Sequence, residues 1–430
     1  MIERFFKLKE RKTSVRQEVL GGVTTFLTMA YIIFLHPNML AETGMDKNAL
    51  ITITCLASFI GTIIVGIWAN VPFALAPGLG LNSFFTYSVV MGMGVDWPTA
   101  LGVVFISGIL FLILTFSGFR EKIVHSIPVS LRLAVPAGIG MLITFVGLKN
   151  MGLIISNSST LLHMGPITPT VMLSLIGLIL IVLLEIKKIK ASILLGIIFI
   201  VIMAIIFGYI QPPEAFVSTP PSITPIAFKL NILQALKVSL IGVIFSFLFV
   251  DLFDSVGTII ACAYEAKLVE KDGRISGIDK ILGSDAISTV IGSIFGTSTI
   301  TTYIESASGI SAGARTGLAA IVTGVLFLAA PFFSPIIQIV PGYATAPALI
   351  IVGLYMFRNI QKINFAELEE SIPAFLTIII MPFTGSISTG LTFGFLSYIL
   401  VKIIAGKSSQ ISIILWIIGL LALINLIIDL

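Results

Sequence analysis

Three carboxylates of this 430-residue chain lie inside long apolar stretches, whereas most of its acidic residues do not: Asp251, Asp254 and Glu305. A carboxylate at the centre of a bilayer costs at least about 2.5–3.5 kcal/mol, so acidic residues in membrane spans usually face a functional cavity. Asp251 and Asp254 are three positions apart and therefore project from one face of a helix. Neither stretch carries a lysine or arginine near its middle that would pair with them permanently. We therefore predict that the three carboxylates form a functional site between helices.

Two further segments cannot form continuous helices. Residues 71–80 (VPFALAPGLG) are interrupted by proline and glycine, and residues 296–303 (GTSTITTY) are rich in β-branched and hydroxyl side chains. Each predicts a short extended piece followed by a half-helix, which begins near residues 78–82 and 303–305. Unwound backbone at membrane depth is tolerated only against protein or a water-filled cavity. Paired broken segments in the two halves of a chain indicate a transporter's binding site, with the N–H groups of the half-helices pointing into it.

The elements that position these residues belong to a membrane protein. Hydrophobic residues make up 57% of the chain and charged residues 11%, compared with about 45–50% and 25% in soluble domains. Residues 98–119 and 411–428 contain no charged residue, and each approaches the ~20 apolar residues that cross a bilayer. The sequence therefore predicts an all-α polytopic membrane protein and excludes soluble folds.

The apolar windows predict fourteen spans, seven in each half of the chain. In the first half they cover residues 18–36, 48–69, 73–91, 97–117, 130–149, 169–185 and 190–210, and in the second half residues 233–262, 278–295, 297–311, 315–334, 343–357, 371–384 and 387–404. Because seven is odd, a duplicated second half would be inserted upside down, as in transporters built from inverted repeats. Residues 411–430 form a further hydrophobic helix that either spans the membrane or lies along its interface.

The basic residues indicate orientation rather than a nucleic-acid partner. The net charge is +4, but lysine and arginine are concentrated in every second loop. This distribution places those loops, and the basic N-terminal segment of residues 1–17, in the cytoplasm. Cys55 and Cys262 lie in apolar segments without metal-site or disulfide spacing, so we expect neither a metal nor a cofactor. His36 is predicted to lie at the end of the first span and not to relay protons.

Four motifs resemble a known family: residues 76–85 (APGLGLNSFF), 251–258 (DLFDSVGT), 296–309 (GTSTITTYIESASG) and 312–317 (AGARTG). They are similar to the AzgA-like adenine/guanine/hypoxanthine permeases, a branch of the nucleobase:cation symporter-2 (xanthine/uracil permease) family. The resemblance covers essentially the whole chain. Ala312 departs from the branch, which often has a second glycine there, and we expect little consequence.

The resemblance implies two inverted repeats of seven spans, with short extended segments in spans 3 and 10. It implies a core domain, residues 18–117 and 233–334, that carries the site, and a gate domain, residues 130–210 and 343–404, that moves against it. It also implies proton-coupled import of purine bases across the cell membrane by alternating access. The positions that match the family's binding and coupling residues are Asn82, Asp251, Asp254 and Glu305.

The chemistry of a purine base fits these residues. The base is flat, usually neutral and edged with N–H donors and ring acceptors, so Glu305 and Asp251 can accept from it and Asn82 can satisfy its acceptors. Phe84 or Phe253 can stack on its face. A carboxylate in a dehydrating cavity can take up a proton near neutral pH; Asp254 is the first candidate, ahead of Asp251 and Glu305. The predicted substrate-binding residues are Asn82, Asp251, Glu305, Phe84, Gly80, Thr302 and Ser306.

Other functions fit the sequence less well. An intramembrane aspartyl protease places its aspartates on two helices, whereas Asp251 and Asp254 share one, so we predict no enzyme activity. A sulfate-type anion carrier shares the architecture but should present basic groups or bare helix ends. A channel should show a repeated filter sequence. A uracil/xanthine permease is the nearest alternative, although the Asn-x-Gly signature of the xanthine branch is absent from span 10. Sodium in place of protons, and a homodimer, both stay open.

Overall fold

The computed structural model describes residues 2–117, 126–269, 275 and 277–428. Parts of two predicted basic loops, residues 118–125, 270–274 and 276, lie outside the described residues, as do residues 1, 429 and 430. The elements of the first half, in chain order, are α1 (Ile2–Phe5), α2 (Val15–Met29), α3 (Ile32–Ala41), α4 (Lys47–Trp68), β1 (Leu75–Pro77), α5 (Leu79–Ser83), a π-helix (Phe84–Gly92), α6 (Trp97–Phe116), α7 (Val129–Met151), β2 (Ile154–Asn157), β3 (Leu161–Met164), α8 (Pro169–Ile186) and α9 (Ser192–Ile206).

The second half also places a short strand and a half-helix among longer helices. It contains α10 (Ile232–Ala235), α11 (Ile241–Glu265), α12 (Ile278–Phe295), β4 (Ile300–Thr302), α13 (Ser306–Ser311), α14 (Gly317–Ala329), α15 (Ser334–Gln338), α16 (Gly342–Phe357), α17 (Leu368–Thr384), α18 (Ile387–Ile404) and α19 (Ile413–Ile428), with short 3₁₀ turns at Val238–Leu240, Ala330–Phe333, Arg358–Lys362 and Ser408–Gln410. The predicted all-α membrane fold is confirmed, including the extended segments of spans 3 and 10, which are β1 and β4.

Each of the fourteen predicted spans corresponds to a helix, to consecutive helices or to a strand with its half-helix. Within the described part of the chain, nine helical segments are long and apolar enough to cross a membrane. Three more spans are α9, with 15 residues, α17, with 17, and α12, which carries charged residues. The remaining two are the broken spans.

Acidic and hydroxyl side chains fix where several helices begin. The Asp46 carboxylate accepts from the Ala49 N–H at 2.7 Å, and that of Asp96 accepts from the Thr99 N–H at 3.2 Å, at the starts of α4 and α6. Ser14 and Gln17 form a reciprocal capping box at the start of α2. These bonds satisfy N–H groups that the first helical turn leaves without a partner.

The first span is broken in its middle, which the sequence analysis did not predict. It consists of α2 and α3, and the N–H groups of Ile33 and Phe34 bond in 3₁₀ fashion to the carbonyls of Ala30 and Tyr31. Pro37, which lacks an N–H, lies further along, inside α3. The span continues past the break to Ala41.

This continuation overturns the prediction for His36. The sequence predicts a histidine at the end of the span, but the side chain is fully buried. It lies in the middle of α3, between residues of two other elements. The predicted end of the span was wrong because α3 continues beyond His36 and Pro37 to Ala41.

The chain divides into two compact units. The first contains Met1–Gly78, Gly147–Lys229 and Ser255–Ala348, and the second contains Leu79–Val146, Leu230–Asp254 and Leu349–Leu430. In the first unit α4 packs on α14 with backbones in contact, because a Cβ on Gly317 would lie 1.8 Å from the Gly66 carbonyl oxygen.

In the second unit α7 and α16 approach equally closely. A Cβ on either Gly140 or Gly353 would lie 2.5 Å from the other's carbonyl oxygen. Small residues of this kind let helices pack where lipid provides no hydrophobic driving force.

An ion-pair network joins the start of α17 to the end of α18 in the second unit. The carboxylate of Glu369 lies 2.7 Å from the ammonium of Lys402 and 2.5 Å from that of Lys407. Both lysines donate hydrogen bonds to the Glu369 carboxylate. The adjacent Glu370 carboxylate lies 3.9 Å from Lys402 and accepts a hydrogen bond from Ser130 of α7. The network therefore ties three helices together at one end of the unit.

Candidate substrate site at the paired strands

The two short strands pair antiparallel inside the first unit. Leu75 lies opposite Thr302, Ala76 opposite Thr301 and Pro77 opposite Ile300. All six residues are buried. Three residues per strand cannot satisfy their own backbone groups, so the neighbouring helices must supply partners.

Two threonines supply these partners in the same way. The Thr62 hydroxyl donates to the Leu75 carbonyl at 3.0 Å and accepts from the Leu75 N–H at 2.9 Å. The Thr289 hydroxyl donates to the Ile300 carbonyl at 3.1 Å and accepts from the Ile300 N–H at 3.0 Å. We call Thr62 and Thr289 the threonine clamps. Each holds one strand to the helix of the same repeat, α4 or α12.

The clamps reveal the inverted repeat at the level of single residues. Residues 60–64 read IGTII and residues 287–291 read ISTVI, so the clamps occupy equivalent positions. The helices also touch there, because a Cβ on Gly61 would lie 3.0 Å from the Ser288 hydroxyl oxygen. A local two-fold axis through the Ala76–Thr301 pair relates the two strands. This match between spans 2 and 9 was the signal that our sequence analysis missed.

The half-helices begin immediately after the strands, as predicted. Gly78, before α5, donates its N–H to the Thr299 carbonyl at 3.0 Å. Tyr303, before α13, donates its N–H to the Ala74 carbonyl at 2.9 Å and its hydroxyl to the Pro77 carbonyl at 2.5 Å. The connections between strand and half-helix are thus fixed by main-chain acceptors of the opposite segment.

Three predicted site residues lie together on β4 and α13. The Ser306 hydroxyl accepts from the Ala74 N–H at 3.0 Å, and the Thr302 hydroxyl donates to the Asp285 carboxylate at 2.9 Å. Both side chains are buried and bonded within the protein. Glu305 is half-buried, and it accepts a hydrogen bond from the hydroxyl of Tyr31. Of the three, Glu305 retains an accessible side chain.

His36 lies at the other end of β4. Its Nδ1 is 2.7 Å from the Thr54 hydroxyl, and its Nε2 is 2.8 Å from the hydroxyl of Thr297. The Thr54 hydroxyl donates to the Leu50 carbonyl at 2.6 Å, so it accepts from Nδ1–H. A neutral ring then accepts at Nε2 from Thr297, and both nitrogens are satisfied.

The other predicted site residues belong to the second unit. Asn82 is fully buried in α5, and a Cβ on Gly80 would lie 2.8 Å from the Ile139 side chain, so Gly80 permits close packing of α5 on α7. Phe84 is fully buried, with its ring centroid 4.7 Å from that of Phe247 on α11. Stacking of Phe84 on a substrate would require it to become exposed, and that role stays a prediction.

The two aspartates lie one turn further along α11. Phe247, which contacts Phe84, precedes Asp251 by four residues, so the start of the π-helix packs one helical turn from this carboxylate. Asp251 is buried at 2% exposure, whereas Asp254 is half-buried. The two carboxylates therefore differ in access to solvent although they share a helix face.

Two buried carboxylates were not predicted as special. Asp285 is fully buried in α12, where the nearby Asp279 and Lys280 made the segment look like a charged span end. Glu18 is fully buried at the start of α2. Its carboxylate accepts from the N–H groups of Arg315, Thr316 and Ala319 at 2.8, 3.2 and 3.3 Å, at the positive end of α14.

A protein-family model described as "Permease family" (Xan_ur_permease) matches residues 16–393. The chain belongs to this family. It is 42% identical over 428 residues to the adenine permease AdeP of Escherichia coli strain K12, covering 99% of this chain and 96% of that protein. It is 43% identical over 419 residues to the guanine/hypoxanthine permease PbuG of Bacillus subtilis strain 168, covering 95% of each. The predicted resemblance is confirmed, and the family is one of transporters rather than enzymes.

A solved structure shows the same fold. The transmembrane domain of the cyanobacterial bicarbonate transporter BicA superposes with a TM-score of 0.67, covering 87% of this chain and 96% of that one, at 14% sequence identity. At this identity the likeness concerns the fold alone. Together with the apolar helices it shows a multi-pass membrane protein.

Proposed function

We propose that this permease imports purine nucleobases, namely hypoxanthine, guanine or adenine, by alternating access coupled to protons. The observation that carries the proposal is the half-buried carboxylate of Glu305, which lies directly before α13 and three residues after β4. A carboxylate at membrane depth accepts hydrogen bonds from a neutral base edged with N–H groups, whereas it would repel an anion. Relatives that are 42–43% identical along their whole length are named for adenine and for guanine/hypoxanthine.

The remaining site residues take complementary roles in this proposal. Asp251 accepts a second N–H of the base, and Asn82 donates to a ring nitrogen or exocyclic oxygen. Asp254, half-buried one turn from Asp251, carries the proton. Protonation removes the cost of a charge in a dehydrated cavity, so loading and release of a proton can be linked to opening on each side.

The proposal extends to the movement and setting of the protein. Residues 18–117 and 233–334 would form the core domain and residues 130–210 and 343–404 the gate domain. The N-terminus would lie in the cytoplasm and the protein in the cell membrane, with residues 411–430 as a hydrophobic helix that either spans the membrane or lies along its interface. A homodimer is compatible with this architecture.

Uptake of radiolabelled bases into cells that lack their own carriers tests the proposal. Wild type should accumulate hypoxanthine, guanine or adenine but not uracil, and a proton uncoupler should abolish accumulation while removal of sodium should not. The Glu305→Gln variant should fall to background, because an amide cannot reproduce two charged acceptors. Glu214→Gln, at an exposed glutamate in the loop after α9, is the matched control and should retain uptake.

Three results would contradict the proposal. Uracil or xanthine uptake without purine-base uptake would favour the sister branch of the family. Bicarbonate or sulfate uptake would favour an anion carrier. Purine uptake that follows sodium instead of protons would leave the substrate intact and overturn the coupling ion.

A further inference from the structure

We infer that Tyr31, at the break in the first span, is a positioning residue that fixes the orientation of the Glu305 carboxylate toward substrate. This inference rests on the proposed function, because it takes Glu305 as the group that binds the base. It assigns a role to a residue that no sequence motif singled out. It also gives the break between α2 and α3 a purpose.

The break is what brings the tyrosine hydroxyl to the carboxylate. Tyr31 is the residue directly before α3, and its carbonyl accepts from the N–H groups of Phe34 and Leu35 in the turn that restarts the helix. Its side chain is 1% exposed. A 3₁₀ turn in the middle of a helix redirects the side chains on either side of it and often marks a functional position.

The hydrogen bond from Tyr31 to Glu305 restrains the orientation of the carboxylate. A glutamate side chain has three rotatable torsions, and its last torsion is broad. The Tyr31 ring is buried and rigid, whereas Glu305 remains half-buried, so the hydroxyl meets the carboxylate from the protein interior. A hydrogen bond to a charged acceptor is stronger than one between neutral groups. The carboxylate therefore keeps one orientation before substrate arrives.

The same helix fixes the other end of the strand. His36, on α3, bonds to Thr297 three residues before β4, and Tyr31 bonds to Glu305 three residues after it. The Thr54 hydroxyl on α4 holds the second nitrogen of the histidine. Tyr31 and His36 thus hold residues on both sides of β4. Glu305 cannot shift relative to Tyr31 without breaking their hydrogen bond.

Uptake kinetics of the Tyr31→Phe variant test the inference. Phenylalanine keeps the buried ring and removes only the hydroxyl. We expect KM for hypoxanthine to rise about tenfold, the size typical of losing one hydrogen bond to a charged group, with the maximal rate per transporter retained. Tyr264→Phe, at an exposed tyrosine near the end of α11, is the matched control and should leave KM unchanged.

KM separates positioning from a purely structural role. It does not depend on how many transporters fold, so a variant that only destabilises the protein lowers the maximal rate at unchanged KM, and that result would overturn the inference. Hypoxanthine-induced thermal stabilisation of the purified protein gives a second readout, and it should shrink in Tyr31→Phe. If wild type and Tyr264→Phe also take up no purine, the proposed function itself fails. Purine uptake by wild type with an unchanged KM in Tyr31→Phe refutes only the inference.

Discussion

His36 illustrates how one side chain can hold an unwound segment inside a membrane. Its two ring nitrogens meet hydroxyls from α4 and from the loop before β4, and its burial is complete. The ring thus links α4 to the loop before β4 through two side-chain hydroxyls. A neutral histidine in this arrangement is a structural connection and has no need to exchange protons.

We predict that the His36→Gln variant lowers thermal stability while its residual uptake stays sensitive to an uncoupler. Glutamine cannot reach both hydroxyls, and each lost bond costs about 1 kcal/mol. Melting of purified protein and uptake with and without uncoupler provide the measurements. His163→Gln, at an exposed histidine in β3, serves as the control. Residual uptake that no longer responds to the uncoupler would assign His36 to the proton path instead.

At the scale of elements, the paired strands β1 and β4 depend on hydrogen bonds from the neighbouring helices α4 and α12. Three residue pairs hold β1 to β4, and the threonine clamps hold the first residue of each strand to α4 or α12. Because the two clamps are related by the local two-fold axis, each satisfies the same two backbone groups in its strand. Removal of the Thr62 hydroxyl and removal of the Thr289 hydroxyl should therefore destabilise the protein to a similar extent.

We predict that Thr62→Val and Thr289→Val destabilise the protein by similar amounts, about 1–3 kcal/mol each, because each leaves a buried carbonyl and N–H without a partner. Thr62→Ser and Thr289→Ser retain the hydroxyl and should lose much less. The readout is the melting temperature of detergent-solubilised protein. Thr24→Val, at an exposed threonine that bonds only within α2, is the control. Equal losses for valine and serine would show that packing of the methyl group, and not the hydroxyl, stabilises the strands.

The strands themselves could be predicted because their cause is local. The closely spaced Pro72, Pro77 and Gly78 disfavour a continuous helix in this segment, and the β-branched run at 297–302 favours extended backbone. The contacts of Glu305 with Tyr31 and of Thr297 with His36 join residues 274 and 261 positions apart. Such contacts depend on how the spans pack, and the hydrophobic periodicity of the sequence does not predict them.

At the scale of the whole molecule, the two halves each contain seven spans and are inserted in opposite directions. An odd number of spans per half means that equivalent loops fall on opposite sides of the membrane. The β2–β3 hairpin and the connection between α8 and α9 lie at the two ends of one helix, α8. They therefore report orientation directly.

We predict that a membrane-impermeant maleimide labels Ser159→Cys in intact cells and Lys187→Cys only after permeabilisation. Ser159 is exposed in the β2–β3 turn, and Lys187 is exposed at the end of α8. The native Cys55 and Cys262 are fully buried, so wild type should show little background labelling. The opposite pattern would place the N-terminus outside the cytoplasm.

The local two-fold axis through Ala76 and Thr301 bears on the origin of the chain. A half-length precursor with seven spans would possess one strand and one clamp, and its strand would lack a partner. Two copies that entered the membrane in opposite directions would have completed each other's backbone pairing. Duplication and fusion of the gene would then have joined the two chains of this dimer into one polypeptide. The similarity of the IGTII and ISTVI segments is consistent with such a duplication.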